Sequence, residues 1–156
     1  MDRARRLTVE RMFAYDSVGA EMKHTKIDCE VLEAIVGYAA DPRGRGVAYA
    51  RVCCSNGSRH LLRVSFKMPA GDGVGYAALT AVARSLHDRG VRKARMAVAD
   101  AALVEEIGGI RQVPPALALA NVRLRCAFNR LGDCSVQLTD DGDLGQRARA
   151  EVFLAA

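Results

Sequence analysis

The segment from Gly73 to Ile107 constrains the fold most strongly, because its residue pattern predicts a helix, a turn, a strand and a second helix. Apolar residues between Tyr76 and Leu86 recur at spacings of three and four, which is typical of a helix with one buried face. Gly90 predicts the end of that helix, since glycine readily adopts the left-handed conformation that closes helix C-termini. A strand is predicted from Ala94 to Ala99, and Asp100 follows it directly. Open α/β sheets usually place their chemistry at such strand ends.

The rest of the chain predicts four further strands and two further helices. The β-branched and apolar residues after Asp28 favour a strand, although a short helix that begins at Asp28 fits almost as well. Asn56-Gly57 predicts a tight hairpin turn with positive φ angles. Apolar and polar residues alternate after this turn, which predicts a strand with only one covered face. The further strands are Val31–Ala40, Val47–Cys54, Arg59–Met68 and Cys134–Leu138, and the further helices are Leu117–Leu131 and Leu144–Ala155.

Length and composition predict one domain with a core of small side chains. The chain has 156 residues, which is a single-domain length, and 50% of them are apolar. Only 5% are aromatic and none is Trp, so Ala, Val, Leu and Ile must fill the core. We expect residues 1–30 to form an extension and residues 31–156 to form the domain.

The charge and the cysteine pattern indicate the class of partner and the compartment. A formal net charge of +5 favours polyanionic partners such as nucleic acid. The five cysteines form neither a CxxC pair nor the Cys/His spacing of zinc sites, so we expect reduced thiols. No segment resembles a secretory signal, and no apolar run approaches the roughly 18 residues of a membrane span. We therefore expect a cytoplasmic protein that has no membrane partner.

Three local motifs occur in a recognisable order. The first is a turn, Asp41-Pro42-Arg43-Gly44-Arg45-Gly46, and the second is a helix opening, Gly75-Tyr76-Ala77-Ala78-Leu79. The third, from Met96 to Val104, is a strand that ends in Asp100 and leads into a helix. These motifs resemble the Asn-Pro-Gly-rich loop, the Ala-Glu-Tyr-Glu-Ala-Leu helix opening and the strand with Asp-Ser-x-x-Leu-Val of the ribonuclease H-like superfamily.

The resemblance covers roughly residues 31–156 and implies a particular fold. This fold is α/β, with a five-stranded mixed sheet flanked by helices. Its first three strands are antiparallel, and alternating helices and strands follow them. The predicted order of elements in this chain, β-β-β-α-β-α-α-β-α, agrees with it.

The resemblance also implies a two-metal site. Nucleases of the family cleave a phosphodiester with two Mg²⁺ or Mn²⁺ ions held by about four carboxylates, because dications of this kind prefer hard oxygen ligands. Those carboxylates come from the first strand, the first helix, the fourth strand and the last helix. In the fourth strand, Asp100 is retained as the candidate catalytic residue and metal ligand. Asp is also among the best helix N-caps, so Asp100 has a structural interpretation as well.

The other three carboxylate positions depart from the family pattern. The first-strand position falls among Ile35, Val36 and Gly37, none of which is acidic. In the first helix the position is Gly75, and in the last helix it falls near Gln146 or Arg147. We therefore expect Asp100 to have Gly37, Gly75 and Gln146 or Arg147 as neighbours. Asp72 and Asp143, each about one turn from the expected place, are the further candidates for catalytic acids.

The missing acids and the basic charge favour a catalytically degenerate ribonuclease H-like domain that acts as a nucleic-acid-binding or interaction module without a cofactor. Candidate phosphate contacts are Arg43 and Arg45 on the turn, and Arg147 and Arg149 on the last helix. One alternative is a weak nuclease that uses Asp100 with Asp72 and Asp143 and requires Mg²⁺ or Mn²⁺. Another is a structural protein that forms a homo-oligomer and has no affinity for RNA, DNA or their hybrid.

Overall fold

A computed structural model describes residues 26–27, 31–68 and 73–155 of the chain. These residues form five strands and four α-helices, in the predicted order. The strands are β1 (Leu32–Ala40), β2 (Arg45–Cys54), β3 (Arg59–Lys67), β4 (Lys93–Val98) and β5 (Asp133–Leu138). The helices are α1 (Val74–Asp88), α2 (Ala101–Ile107), α3 (Ala118–Leu131) and α4 (Leu144–Ala155), with a 3₁₀ turn (Pro115–Leu117) before α3. Most of the predicted extension, and Asp72, lie outside the described residues.

The five strands form one mixed sheet in the order β3-β2-β1-β4-β5. β1 pairs with β2, and β2 with β3, in antiparallel fashion. β4 is parallel to both β1 and β5. Parallel neighbours need long crossover connections, which α1 provides before β4 and the α2–α3 segment provides before β5. The predicted fold class, three antiparallel strands followed by alternating helices and strands, is confirmed.

Helices cover the sheet from both sides. α1 and α3 pack on one face, and the main core lies between them and the strands. Ala, Val and Leu supply most of this core, as the composition predicts. α4 packs on the other face against β1 and β2, where Val47, Tyr49, Leu144 and Ala148 form a smaller core. Ile27 also belongs to the main core, and its backbone N–H donates to the carbonyl of Arg89.

Two glycines have positive φ angles at positions where the sequence predicts them. Gly90 follows α1 with a φ of 86°, and Gly57 lies in the β2–β3 connection with a φ of 85°. Asn56 was also predicted to have a positive φ angle, but among the described residues only glycines have one. Its side-chain oxygen instead accepts from the backbone N–H of Ser58 at 2.9 Å. The connection is thus a longer loop ordered by an Asn side chain.

The described chain contains neither a membrane span nor a disulfide. None of its helices is long and apolar enough to cross a bilayer. Cys53, Cys54, Cys126 and Cys134 are free thiols, while Cys29 lies outside the described residues.

The side chain of Glu151 ties α4 to the sheet. Its carboxylate accepts from the Tyr49 hydroxyl and from the Arg63 guanidinium, each at 2.5 Å. The alternating pattern of β3 predicted an open face around Arg63, but α4 covers this position and leaves 16% of the side chain exposed. Burial tends to raise the pKa of Glu151, but the hydrogen bonds from Arg63 and Tyr49 outweigh burial and hold the pKa below its usual range.

We expect Glu151→Gln to lower the free energy of unfolding by about 1 kcal/mol at pH 7, because an ion pair that is partly exposed is screened by water. A carboxylate with a depressed folded pKa stabilises the protein above its unfolded pKa of about 4.3, and this contribution is lost as the pH falls through the folded value. Urea unfolding between pH 7 and pH 3 checks this. Wild type should lose more stability than Glu151→Gln over that interval, whereas the exposed Glu105→Gln control should follow wild type. Equal acid sensitivity of all three proteins would contradict the assignment.

Candidate functional site

Asp100 lies at the C-terminal end of β4, as predicted, and begins α2. Its Oδ1 accepts from the backbone N–H of Leu103 at 3.2 Å, so the carboxylate is the N-cap of this helix. The cap satisfies a backbone N–H that has no partner within the helix. The structural interpretation of Asp100 is therefore confirmed, and the carboxylate remains exposed at the sheet end.

The hydroxyl of Tyr38, which the sequence interpretation missed, contacts the other oxygen of the Asp100 carboxylate. This hydroxyl donates to Oδ2 of Asp100 at 3.3 Å. Burial is the main cause that raises the pKa of Tyr38, and the charges of Asp100 and Asp141 raise it further. The phenol therefore stays protonated and acts as a donor. One signal was available: Tyr38 continues the alternating face of β1 that Leu32, Ala34 and Val36 bury in the core.

Gly75 is complementary to Tyr38. A Cβ atom at this position would lie 2.8 Å from the Tyr38 hydroxyl oxygen and 2.6 Å from Cδ2 of Leu103. Real Cβ atoms essentially never approach other heavy atoms so closely. The family resemblance places a glutamate here, and the space beside the backbone of Gly75 is instead taken by the phenol and by Leu103.

Gly37 brings β1 and α4 into backbone contact. A Cβ atom on Gly37 would lie 2.3 Å from the backbone nitrogen of Gly145 and 2.6 Å from Cβ of Leu144. At Gly145 itself, a Cβ atom would lie 2.7 Å from Oδ2 of Asp141. One of the three positions predicted for the first-strand acid thus has no room for any side chain. The contact also places Asp141 at the start of α4.

Asp141 is the second residue that the sequence interpretation missed. It is half-buried in the connection between β5 and α4, and its backbone carbonyl accepts from the N–H of Leu144. Its charge acts on Tyr38 together with that of Asp100. The acidic run from Asp140 to Asp143 was the available signal, but sequence spacing alone does not say which of its acids turns inward. The neighbours expected for Asp100 therefore need correction, because Tyr38 contacts it and Asp141 acts on the same phenol.

The described residues do not fit a centre for two metal ions. Such a centre needs several carboxylates that converge, because each dication prefers hard oxygen ligands. Among residues 26–27, 31–68 and 73–155, no three Asp, Glu, His or Cys side chains are placed to hold an ion together. Asp100 and Asp141 are the two acids that influence Tyr38, and neither is joined by a third acid from the described chain.

Asp143 forms an ion pair on the face of the sheet that α4 covers. Its Oδ1 accepts from a guanidinium nitrogen of Arg51 at 3.3 Å, and 74% of its side chain is exposed. Its backbone carbonyl accepts from the N–H of Arg147 in the first turn of α4. In this chain Asp143 therefore contributes a surface contact between β2 and α4.

The predicted basic residues occupy two environments. Arg43 and Arg45 are exposed on the β1–β2 turn, and their backbone N–H groups both donate to Oδ1 of Asp41, at 2.9 and 3.0 Å. Lys67 lies directly opposite Arg45 on β3, so a third cation adjoins the turn. The guanidinium of Arg147 instead lies over the Tyr49 ring, 4.7 Å from its centre. Arg149, also on α4, is exposed.

Comparison with known proteins identifies the fold. No family model and no curated protein matches the chain. Among solved structures, RNase H1 from Halobacterium salinarum NRC-1 superposes with a TM-score of 0.65 at 17% identity, over 81% of this chain and 99% of the other. The N-terminal RNase H domain of Rv2228c from Mycobacterium tuberculosis has a TM-score of 0.64 at 14% identity, over 81% and 98%.

A third solved structure, LC11-RNase H1 in complex with an RNA/DNA hybrid, has a TM-score of 0.55 at 13% identity, over 76% of this chain and 91% of the other. At identities this low the likeness concerns the fold. The sheet order, the antiparallel first three strands and these superpositions agree with one another, and the chain therefore has a ribonuclease H-like fold.

Proposed function

We propose that this chain is a nucleic-acid-binding domain of ribonuclease H-like fold that does not carry out two-metal hydrolysis. The observation that carries the proposal is the position of Tyr38. Its hydroxyl donates to Asp100 and fills the space beside Gly75, where the family resemblance places a carboxylate. A protonated phenol thus lies where the resemblance would place a metal ligand.

The Tyr38 phenol disfavours the binding of Mg²⁺ or Mn²⁺ beside Asp100. A neutral phenol is a weak ligand for hard dications, and the raised pKa of Tyr38 makes its ionisation costly. Asp100 already accepts hydrogen bonds at both oxygens, from the N–H of Leu103 and from the Tyr38 hydroxyl. The carboxylate retains lone pairs for a dication, but the described chain brings few further acids beside it to complete the coordination.

The basic turn supports nucleic acid as the partner. Arg43, Arg45 and Lys67 are exposed and adjoin one another at the end of β1 that carries Tyr38. The backbone bonds to Asp41 hold the turn in one conformation, so the two arginine side chains project from an ordered base. A chain of net charge +5 is attracted to polyanions in general. LC11-RNase H1, which has the same fold, was solved with an RNA/DNA hybrid. We assign Arg149 and Arg147, both exposed on α4, as secondary phosphate contacts.

Salt-dependent binding in the absence of metal tests the proposal. We expect the chain to bind a fluorescein-labelled RNA/DNA hybrid in EDTA. Two to three phosphate contacts should make the affinity fall about 10- to 40-fold between 50 and 200 mM KCl, because each contact releases condensed counterions. Fluorescence anisotropy at several salt concentrations measures this slope. Absence of binding to hybrid, duplex DNA and duplex RNA at low salt would refute the nucleic-acid assignment.

Thermal unfolding with Mg²⁺ tests the absence of a metal centre separately. We expect 5 mM Mg²⁺ to shift the Tm by less than about 1 °C, because a ligand stabilises the native state only in proportion to its binding. The comparison uses wild type and Asp100→Asn, which retains a good capping side chain. A clear rise in Tm with Mg²⁺ that disappears in Asp100→Asn would show that Asp100 binds metal.

A weak metal-dependent nuclease is the alternative function, and one observation favours it. Asp100 and Asp141 lie near enough to the same phenol for both to raise its pKa, so two acids face one region of the sheet end. This function predicts Mn²⁺-dependent cleavage of an RNA/DNA hybrid that is lost in both Asp100→Asn and Asp141→Asn. Cleavage that persists in both variants would indicate a contaminating nuclease.

A further inference from the structure

The edge of the sheet at β5 is open along the part of the chain that the structure describes. β5 pairs with β4 on one side and with no other described strand on its second side. The opposite edge, β3, carries the exposed residues Arg59 and Lys67, and charged residues of this kind discourage pairing with another strand. β5 has a single charged residue, Asp133, at its first position. Its edge therefore lacks the protection that β3 has.

The backbone bonds of β5 show which groups face this edge. The N–H of Asp133 donates to Arg92, just before β4, and the N–H of Thr139 donates to Val98 at its end. In a parallel pair alternate residues bond the neighbouring strand, so the odd-numbered residues from 133 to 139 face β4. The N–H and C=O groups of Cys134 and Val136 therefore point to the open side.

A cleft of about 380 Å³ runs along the same edge, between β5, α3 and the end of α2. Its lining residues are Ile107, Gly108, Asn121, Leu124, Arg125, Phe128, Asn129, Cys134, Ser135 and Val136. Three of them are consecutive in β5, and side chains of consecutive strand residues point to opposite faces. The cleft therefore follows the strand edge rather than one face of the sheet.

The lining combines an apolar floor with hydrogen-bond donors. Leu124 and Phe128 are buried beneath it. Arg125 is the one cation among the lining residues, which include no acid. Its Nε donates to Oδ1 of Asn121 at 3.0 Å, and Asn121 is only 8% exposed. One of the terminal nitrogens of Arg125 also donates to the carbonyl of Ile107 at 3.3 Å. The cleft thus offers the positive charge of Arg125 to a ligand with oxygen acceptors.

We propose that the β5 edge binds an extended, acidic peptide segment of another protein, which adds to the sheet as a sixth strand. The peptide backbone bonds the free groups of Cys134 and Val136, an apolar side chain packs on Phe128 above Leu124, and a carboxylate pairs with Arg125. Strand addition of this kind takes affinity from backbone bonds and specificity from pockets for alternate side chains. The site is separate from the basic turn, so a nucleic acid and a peptide can bind one domain together.

Peptides of alternating sequence test this inference directly. The probe is a fluorescein-labelled octapeptide of alternating Val and Glu, compared with octapeptides of alternating Val and Lys and of alternating Pro and Glu. We expect only the Val-Glu peptide to bind, because the second lacks acidic groups and the third loses the backbone N–H at every second residue together with the Val side chains. In ¹⁵N-labelled protein, the largest amide shifts on binding should occur at Cys134 and Val136.

Variants of α3 provide the matched control. Arg125→Glu should weaken binding of the Val-Glu peptide by about tenfold or more, because it reverses the charge in the cleft. Arg123→Glu makes the same charge change on the exposed side of the same helix and should leave the affinity within about twofold. Arg125→Gln, which removes the charge without reversing it, serves if the first variant unfolds.

Three results would overturn the proposal. They are an equal loss of peptide affinity in Arg123→Glu, equal binding of the Val-Lys peptide, and amide shifts confined to elements other than β5. Concentration-dependent dimerisation through β5 without peptide would also overturn it, since a second copy would then be the occupant.

Discussion

Gly37→Ala should destabilise the domain by about 3 kcal/mol, at the upper end of the usual cost of adding atoms to a packed interior. The new Cβ atom would lie 2.3 Å from the backbone nitrogen of Gly145 and 2.5 Å from the backbone carbonyl carbon of Leu144. Backbone atoms cannot rotate away as a side chain can, so relief requires α4 to move off β1. Such a movement would also separate Leu144 from the small core that it shares with Val47 and Tyr49. Urea unfolding followed by circular dichroism measures the effect.

Gly73→Ala is the matched control. A Cβ atom at Gly73 would lie 3.7 Å from Cδ2 of Leu117, which is an ordinary van der Waals distance, and the φ angle of −95° suits alanine. We expect a change in the free energy of unfolding of less than about 0.5 kcal/mol, as for surface substitutions without a specific contact. If Gly37→Ala were as mild as this control, β1 and α4 would not be in backbone contact. The first strand would then have room for a carboxylate at this position.

Arg43→Glu/Arg45→Glu should weaken binding to an RNA/DNA hybrid by about 100-fold at low salt, because two phosphate contacts are removed and two repulsive charges are introduced. The slope of log affinity against log salt should become shallower by about 2, one unit for each lost contact. Both side chains are exposed, and the bonds that order the turn come from their backbone N–H groups, so the fold should tolerate the change. Anisotropy titrations from 20 to 200 mM KCl measure both quantities.

Arg84→Glu/Arg123→Glu controls for net charge. Both arginines are exposed, one on α1 and the other on α3, and the double variant changes the net charge as much as the turn variant does. We expect a loss of affinity of no more than about threefold, through the general field of the protein. Equal losses in the two double variants would show that the charge of the whole molecule, rather than the turn, drives binding.

Local pattern was sufficient for the elements and for their order. Each of these signals depends on a few neighbouring residues. They are the helical spacing from Tyr76 to Leu86, the glycine at residue 90 that closes the helix, and the alternation of apolar and polar residues in β3. The same holds for Asp100, whose role as a cap depends on the N–H of Leu103 three residues later. The order of these elements along the chain resembles that of a known fold. This resemblance predicted the order of the strands within the sheet, which local pattern does not contain.

The tertiary structure alone decided what surrounds Asp100. Tyr38 is 62 residues from Asp100 in sequence, and Gly37 is more than 100 residues from Gly145. Contacts over such separations depend on how closely α4 approaches β1 and on which side chain of β1 reaches the end of β4. No periodicity encodes these distances, because they result from the packing of the whole core. The sequence therefore predicted that acids are missing from the places that the resemblance assigns to them, and only the packing placed a tyrosine hydroxyl beside Asp100.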